Sequence, residues 1–213
     1  MFTPSLITII TRFLEEDMLK GSLFHSVLLA AVALTPAPLQ AQVPDPLAPR
    51  FTVAAAFGGL SGATSLEPAP TADWQLGWAA SLEGNYWIQP RLGVRVSGMW
   101  AQDSLDGGSI SGRGMFNKFA YDANVVLRYP LSAGSGTFVP YVLGGAGAIS
   151  VHQLGSDSTW TQFAGNFGAG VEYRFSRFGV RVEGRDYVYK FDRYGYDKTQ
   201  HDIAWQGAIT YSF

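Results

Sequence analysis

FAGNFGAGVEYRFSRFGVRVEGRDYVYKF, running from Phe163 to Phe191, is the stretch whose reading decides the fold. It reads as a pair of long strands joined by a turn of about two residues at Ser176 and Arg177. In the first strand Phe163, Gly165, Phe167, Ala169, Val171, Tyr173 and Phe175 alternate with Ala164, Asn166, Gly168, Gly170, Glu172 and Arg174. In the second, Phe178, Val180, Val182 and Val188 alternate with Arg181, Glu183 and Arg185. Side chains of a strand point to opposite faces with period two, so each strand has one apolar face and one small or ionic face. Both exceed the usual strand length. Such a hairpin calls for lipid on its apolar side and the lumen of a small closed barrel on the other.

The same pattern extends through the rest of the chain. Strands are expected at Phe51–Leu60, Trp74–Trp87, Arg91–Asp103, Phe116–Tyr129, Thr137–His152 and His201–Phe213, which with the hairpin makes eight. Long connections fall at 61–73, 104–115, 153–159 and 193–200, and short ones at 88–90, 130–136 and 176–177. With an even strand count the long loops share one side and the termini the other. Short periplasmic turns and long external loops are the pattern of an outer-membrane barrel. The expected fold is all-β: an eight-stranded antiparallel up-and-down transmembrane β-barrel.

Composition narrows the alternatives. A net charge of -2 over 213 residues offers no basic footprint for nucleic acid. The absence of cysteine removes disulfides, thiolate metal sites and cysteine nucleophiles together. Beyond the N-terminal region no apolar run is long enough for a transmembrane helix. A membrane barrel leaves this same mild hydropathy, because only every second residue faces lipid. At the N-terminus, residues 1–17 end in acids before Met18; Lys20, the apolar run Val27–Leu34 and the breakers Pro36 and Pro38 follow. These read as a secretory signal peptide starting at Met18 and cleaved after Ala41. Residues 42–50 read as an extended, proline-rich leader, and 51–213 as the barrel.

Three features set the apolar face outward rather than inward, as it would be in a lipocalin-like barrel. An eight-stranded interior is only just filled by side chains, and Trp74, Trp78, Trp100, Tyr121, Phe163, Phe167 and Trp205 do not fit in it. The opposite face carries Arg95, Arg128, Arg174, Arg181 and Arg185 with Glu83, Asp122, Glu172 and Glu183. Arginine's planar fork suits a buried ionic lumen. The lysines Lys118, Lys190 and Lys198 are placed in or beside the external loops. Finally, Tyr86, Trp87, Tyr129, Tyr141, Tyr173, Phe175, Tyr211 and Phe213 gather near the short turns, as a membrane-interface girdle does.

Val139–Val151 (VPYVLGGAGAISV), Phe167–Tyr189 and the terminal Ile209–Phe213 (ITYSF) resemble the small outer-membrane β-barrels of the OmpA-transmembrane-domain and opacity-protein type. The resemblance covers about Phe51 to Phe213. It implies the cell outer membrane of a Gram-negative-type envelope, with lipid around the barrel. It also implies recognition of Tyr211 and Phe213 in the last strand by the barrel-assembly machinery. With the sequence ending at Phe213, a peptidoglycan-binding domain and a cell-wall tether are not expected.

Function is weighed between a structural or surface-interaction barrel plugged by its salt bridges, a narrow porin-like channel, and a lipid-modifying enzyme. The first is favoured, without catalysis. The glycine clusters Gly144–Gly147 and Gly165–Gly170 sit in strands rather than before a helix, so phosphate cradles are not expected. An enzyme would draw on His152, Ser156 or Ser158, and Asp157. The lipid-hydrolysing relatives place serine two residues after the histidine, where this chain has Leu154. Two isolated histidines, His152 and His201, do not make a metal site, and no cofactor is expected. An external ligand, if any, is assigned to the loops 104–115 and 191–202.

Overall fold

In the computed structural model, residues 50–64, 73–106, 114–133, 135–154, 159–191 and 198–213 are described. They fall within the unit Pro44–Phe213. The expected signal peptide and nearly all of the leader lie outside the described residues.

Eight long strands build the wall: β1 Phe51–Gly62, β2 Gly77–Gln89, β3 Leu92–Asp106, β4 Gly114–Arg128, β5 Gly136–Gln153, β6 Thr159–Phe175, β7 Phe178–Phe191 and β8 Lys198–Ser212. Each pairs antiparallel with the next in sequence. The last returns to the first, with Thr52 opposite Ser212 and Gly62 opposite Asp202. Closure removes every sheet edge, so backbone groups within the wall are paired without water. The strands, 12 to 18 residues long, exceed the span of about 9–11 residues needed to cross a bilayer.

Burial follows the period of two. In β1 the pattern begins exposed, buried, exposed, buried from Phe51, and β8 ends on the same alternation. The outward positions are apolar: Leu82 is 71% exposed, Phe163 75% and Ile209 66%. Inward positions are buried: many are small or polar, and bulky apolar side chains such as Met99, Phe116 and Trp160 stand among them.

The ladders run further than expected. Leu105 pairs with Gly114, which shrinks the 104–115 connection to residues 107–113. In β8 pairing begins at Lys198 instead of His201. Continuing the ladder satisfies backbone groups that a loop would leave to solvent. The expected strand from Trp74 is interrupted: Asp73–Trp74 pairs separately onto Asp106 and Leu105, and β2 starts at Gly77. A Cβ at Gly77 would run into the Gln102 carbonyl, so the close approach there requires glycine. The 130–136 connection is in part a hairpin extension, with Leu131–Ala133 pairing back on Gly136–Phe138. The Ser176–Arg177 turn is as short as expected, and Ser176 takes a positive φ of 56°.

Candidate functional site

Inward positions from four strands converge on one ionic cluster: Glu83 (β2), Arg95 and Ser97 (β3), Asp122 and Asn124 (β4), and Arg181, Glu183 and Arg185 (β7). Glu83 Oε2 accepts from Arg181 Nη2 at 2.5 Å and lies 3.3 Å from Arg95 Nη1. Glu183 Oε2 accepts from Arg95 Nη1 at 2.5 Å, and its Oε1 accepts from Arg185 Nη2 at 2.6 Å and Nε at 3.0 Å. Asp122 Oδ2 sits 3.3 Å from Arg185 Nη1, its Oδ1 accepts from Ser97 Oγ at 2.5 Å, and the Asn124 amide also donates to it. Three guanidinium groups therefore meet three carboxylates, all buried. Charge-assisted hydrogen bonds of this kind are shorter and stronger than those between neutral groups.

Tyrosines complete the cluster. Tyr141 donates to Glu183 Oε2 at 2.5 Å and Tyr187 to Asp122 Oδ2 at 3.1 Å. Nearer the turns, Arg174 holds Glu172 through Nη2 at 2.8 Å. Arg128 does not join the main cluster. Its Nε donates to the Pro90 carbonyl at 2.8 Å, and its guanidinium stacks 3.4 Å from the Trp87 ring centroid. A void of about 10 Å³ among Asn85, Arg95, Tyr141, Glu172 and Arg181 leaves room for about one water.

A second ionic tier lies toward the loop side. Lys118 Nζ reaches Asp202 Oδ2 at 2.7 Å and Asp103 Oδ2 at 2.8 Å, and Tyr189 donates to Asp202 Oδ2 at 3.0 Å. The lysine side chain is 1% exposed. Between the tiers the inward positions are apolar: Met99 and Ala101 on β3, Ala120 on β4 and Ala204 on β8, all in one buried cluster. From the turn end upward, the lumen therefore holds an ionic tier, an apolar collar and a second ionic tier.

Several sequence expectations need correction. Lys118 belongs to the lumen, not to an external loop: it shares strand parity with Asp122, and two carboxylates neutralise it there. Trp87 and Tyr141 were expected in the outward girdle, and both face inward. Tyr86 and Trp87 are consecutive, so one strand face cannot hold both. Trp87 instead donates its indole N–H to Thr52 Oγ1 at 3.1 Å. Tyr141 is drawn inside by Glu183.

Tyr86, Tyr173, Phe175 and Phe213 are exposed at the turn end, with Tyr129 and Tyr211 half-exposed. Tyr211 packs edge-on against Phe178 and Phe213, at 5.0 and 4.9 Å between centroids. Phe213 is fixed by donating its backbone N–H to Phe51 O at 2.9 Å.

His152 is at the loop end of β5, its Nδ1 2.8 Å from Thr159 Oγ1. The other enzymatic candidates, Ser156, Asp157 and Ser158, lie outside the described residues, as do the loop tips 107–113 and 192–197. The glycine clusters lie within β5 and β6, and each strand continues past its cluster, to Gln153 and Phe175. Gly147 faces Asp122 so closely that a Cβ would strike the Tyr121 and Asp122 backbone. His201, dismissed as isolated, contacts Asp186 Oδ2 through Nδ1 at 2.8 Å.

No curated protein matches the sequence. Among solved structures, the chain is similar to Neisserial surface protein A, with a TM-score of 0.55 at 15% identity over 76% of this chain and 97% of that one. It is also similar to the outer membrane protein OprG from Pseudomonas aeruginosa, with a TM-score of 0.56 at 12% identity over 78% of this chain and 96% of that one. At such identities the likeness is one of fold. The family model for the outer membrane protein beta-barrel domain matches residues 27–213. An apolar outer wall around an ionic lumen agrees with it, and the location is the Gram-negative outer membrane. The chain belongs to the outer membrane protein beta-barrel domain family.

Proposed function

We propose that this barrel is a closed, non-catalytic element of the outer membrane that works through its wall and rim rather than through its lumen. The observation that carries this is the Glu83–Arg95–Asp122–Arg181–Glu183–Arg185 cluster, whose members bond one another across the interior. An eight-stranded barrel has little space beyond its own side chains. The apolar collar above the cluster adds a dry barrier to ions. In this reading the ion network fixes strand register and seals the lumen, in place of a gated path. The turn-end aromatics Tyr86, Tyr129, Tyr173, Phe175, Tyr211 and Phe213 act as the interfacial girdle, and Tyr211 with Phe213 serves the assembly machinery. External ligands, where they bind, meet the loop tips.

Planar-bilayer recording tests the proposal. Purified, heat-modifiable barrel is expected to give no resolved conductance steps. Steady steps in the wild type that change in Arg181→Ala or Glu183→Ala variants would establish the narrow channel instead. A lipid-hydrolysing activity abolished by His152→Ala would establish the enzyme.

A further inference from the structure

The lipid-facing wall carries polar chemistry that neither the lumen plug nor the girdle uses. Across β6, β7 and β8 the outward positions line up in rows. Lys190 pairs with Thr199; below them Gly165, Val188 and His201 share a row; below that lie Phe167, Asp186 and Ile203. An open groove of about 470 Å³ lies against this patch. Its floor is Gly165 and Val188, Phe163 flanks it, and Lys190 and Thr199 close its loop end. Gly165 supplies the depth: a Cβ there would meet no atom within 4 Å.

The level in the membrane follows from strand geometry. Rising about 3.3 Å per residue at a tilt of about 40°, Lys190 stands about 30 Å above Phe178 at the turn end. The apolar band of such barrels is about 25 Å tall. Lys190 and Thr199 thus lie at the outer interface, and Gly165 and Val188 just inside the hydrocarbon. His201, in the row of Gly165 and Val188, meets Asp186 of the row below, which places a carboxylate–imidazole pair on the outward face. Ionisable groups at membrane depth are costly and mark functional positions.

We propose that this groove docks one phosphate-bearing lipid of the outer leaflet. Its phosphate sits against the Lys190 ammonium and the Thr199 hydroxyl, and an acyl chain lies over Gly165 and Val188 beside Phe163. The His201–Asp186 pair extends the polar lining to the depth of the lipid's ester linkages. The cation supplies the charge complementarity, and a groove opening onto hydrocarbon suits an acyl chain rather than a peptide or a free anion.

Native mass spectrometry of the detergent-solubilised full chain tests this, with dioleoylphosphatidate, dioleoylphosphatidylcholine and dioleoylglycerol as probes. One phosphatidate is expected to be retained about tenfold more than dioleoylglycerol or phosphatidylcholine. Lys190→Gln should reduce phosphatidate to the dioleoylglycerol level, and Lys190→Arg should restore it. Gly165→Leu fills the groove from its open side and should lower retention of phosphatidate and dioleoylglycerol alike, while heat-modifiability shows that the barrel still folds. Equal retention by wild type and both loss variants would overturn the proposal, as ordinary annular lipid. Dioleoylglycerol bound as well as phosphatidate would overturn the phosphate contact.

Discussion

Truncation of Glu183 is the most direct test of what holds the lumen together. Its carboxylate takes contacts of 2.5 Å from Arg95, 2.6 and 3.0 Å from Arg185, and 2.5 Å from the Tyr141 hydroxyl. Glu183→Ala leaves the three guanidinium groups of Arg95, Arg181 and Arg185 facing Glu83 and Asp122. Arg181 keeps its 2.5 Å bond to Glu83, while Arg95 and Arg185 fall back on carboxylate contacts of 3.3 to 3.4 Å and on their bonds to Asn85 at 2.7 Å and Ser97 at 2.9 Å. Removing one partner of a buried pair costs about 3–5 kcal/mol. The surviving contacts put the expected loss near the lower end, about 3 kcal/mol. A double variant, Arg95→Met with Glu183→Leu, removes one charge of each sign at similar volume. It is expected to lie within about 1 kcal/mol of the wild type, since a charge-balanced apolar replacement is often neutral. The assay is urea unfolding of the barrel in phosphatidylcholine vesicles, followed by tryptophan fluorescence with a common slope. A Glu183→Ala barrel within about 0.5 kcal/mol of wild type, or a double variant less stable than the single one, would refute the reasoning.

Other expectations follow from the same geometry. Lys118→Met strands Asp103 and Asp202 together in the upper tier and should cost about 3–5 kcal/mol in the same titration; a loss below about 1 kcal/mol would mean that the tier is hydrated. Single-tryptophan variants in vesicles of brominated lipid should show quenching of the outward Trp205 and protection of the inward Trp87, and equal quenching would return Trp87 to the girdle. Ser176→Gly relieves a left-handed residue that costs about 1–2 kcal/mol against a glycine entropy term of about 0.5–1 kcal/mol. A net gain of about 0.5 kcal/mol in the urea midpoint is expected, and a loss would place another constraint on that turn.

The fold was legible because one rule, alternation, runs through every strand, and a closed eight-stranded wall is the arrangement that satisfies it with short and long turns in order. The ionic cluster was legible for the same reason. Parity alone would have carried it further than residue type did. Lys118 shares the face of Asp122, Asp103 that of Arg95, and Asp202 that of Gln206, so the upper tier was present in the pattern. Residue type hides it, because lysine suggests solvent, which holds at a loop but not where two carboxylates stand within 3 Å. Trp87 and Tyr141 show the opposite limit: nearness to a turn suggests the girdle, while parity puts both on the inward face. Corrected by parity, and leaving the exposed Lys198 at the loop-end rim aside, the inward positions among the described residues carry Arg95, Lys118, Arg128, Arg174, Arg181 and Arg185 against Glu83, Asp103, Asp122, Glu172, Glu183 and Asp202. The cations and carboxylates then cancel one for one, which the five arginines and four acids first assigned did not achieve.

Asp186 and His201 are different, because there parity and residue type disagree. Parity puts both side chains on the lipid face, where neither residue lowers the energy of the wall. A consistent sequence would place apolar side chains at these positions, as it does at Val182 and Ile209. A local violation with no gain for the fold is where a function is to be sought. His201 stands one row and Asp186 two rows below Lys190 and Thr199, with His201 level with Gly165 and Val188 on the groove floor. Substituting the pair separates the alternatives: His201→Phe with Asp186→Val should leave the urea midpoint unchanged or raised, because it removes polar groups from hydrocarbon. If the same change lowers retention of dioleoylphosphatidate, the wall gives up stability for a lipid contact. If it lowers stability instead, the pair is a structural tie between β7 and β8, and the groove must hold its lipid through Lys190 and Thr199 alone.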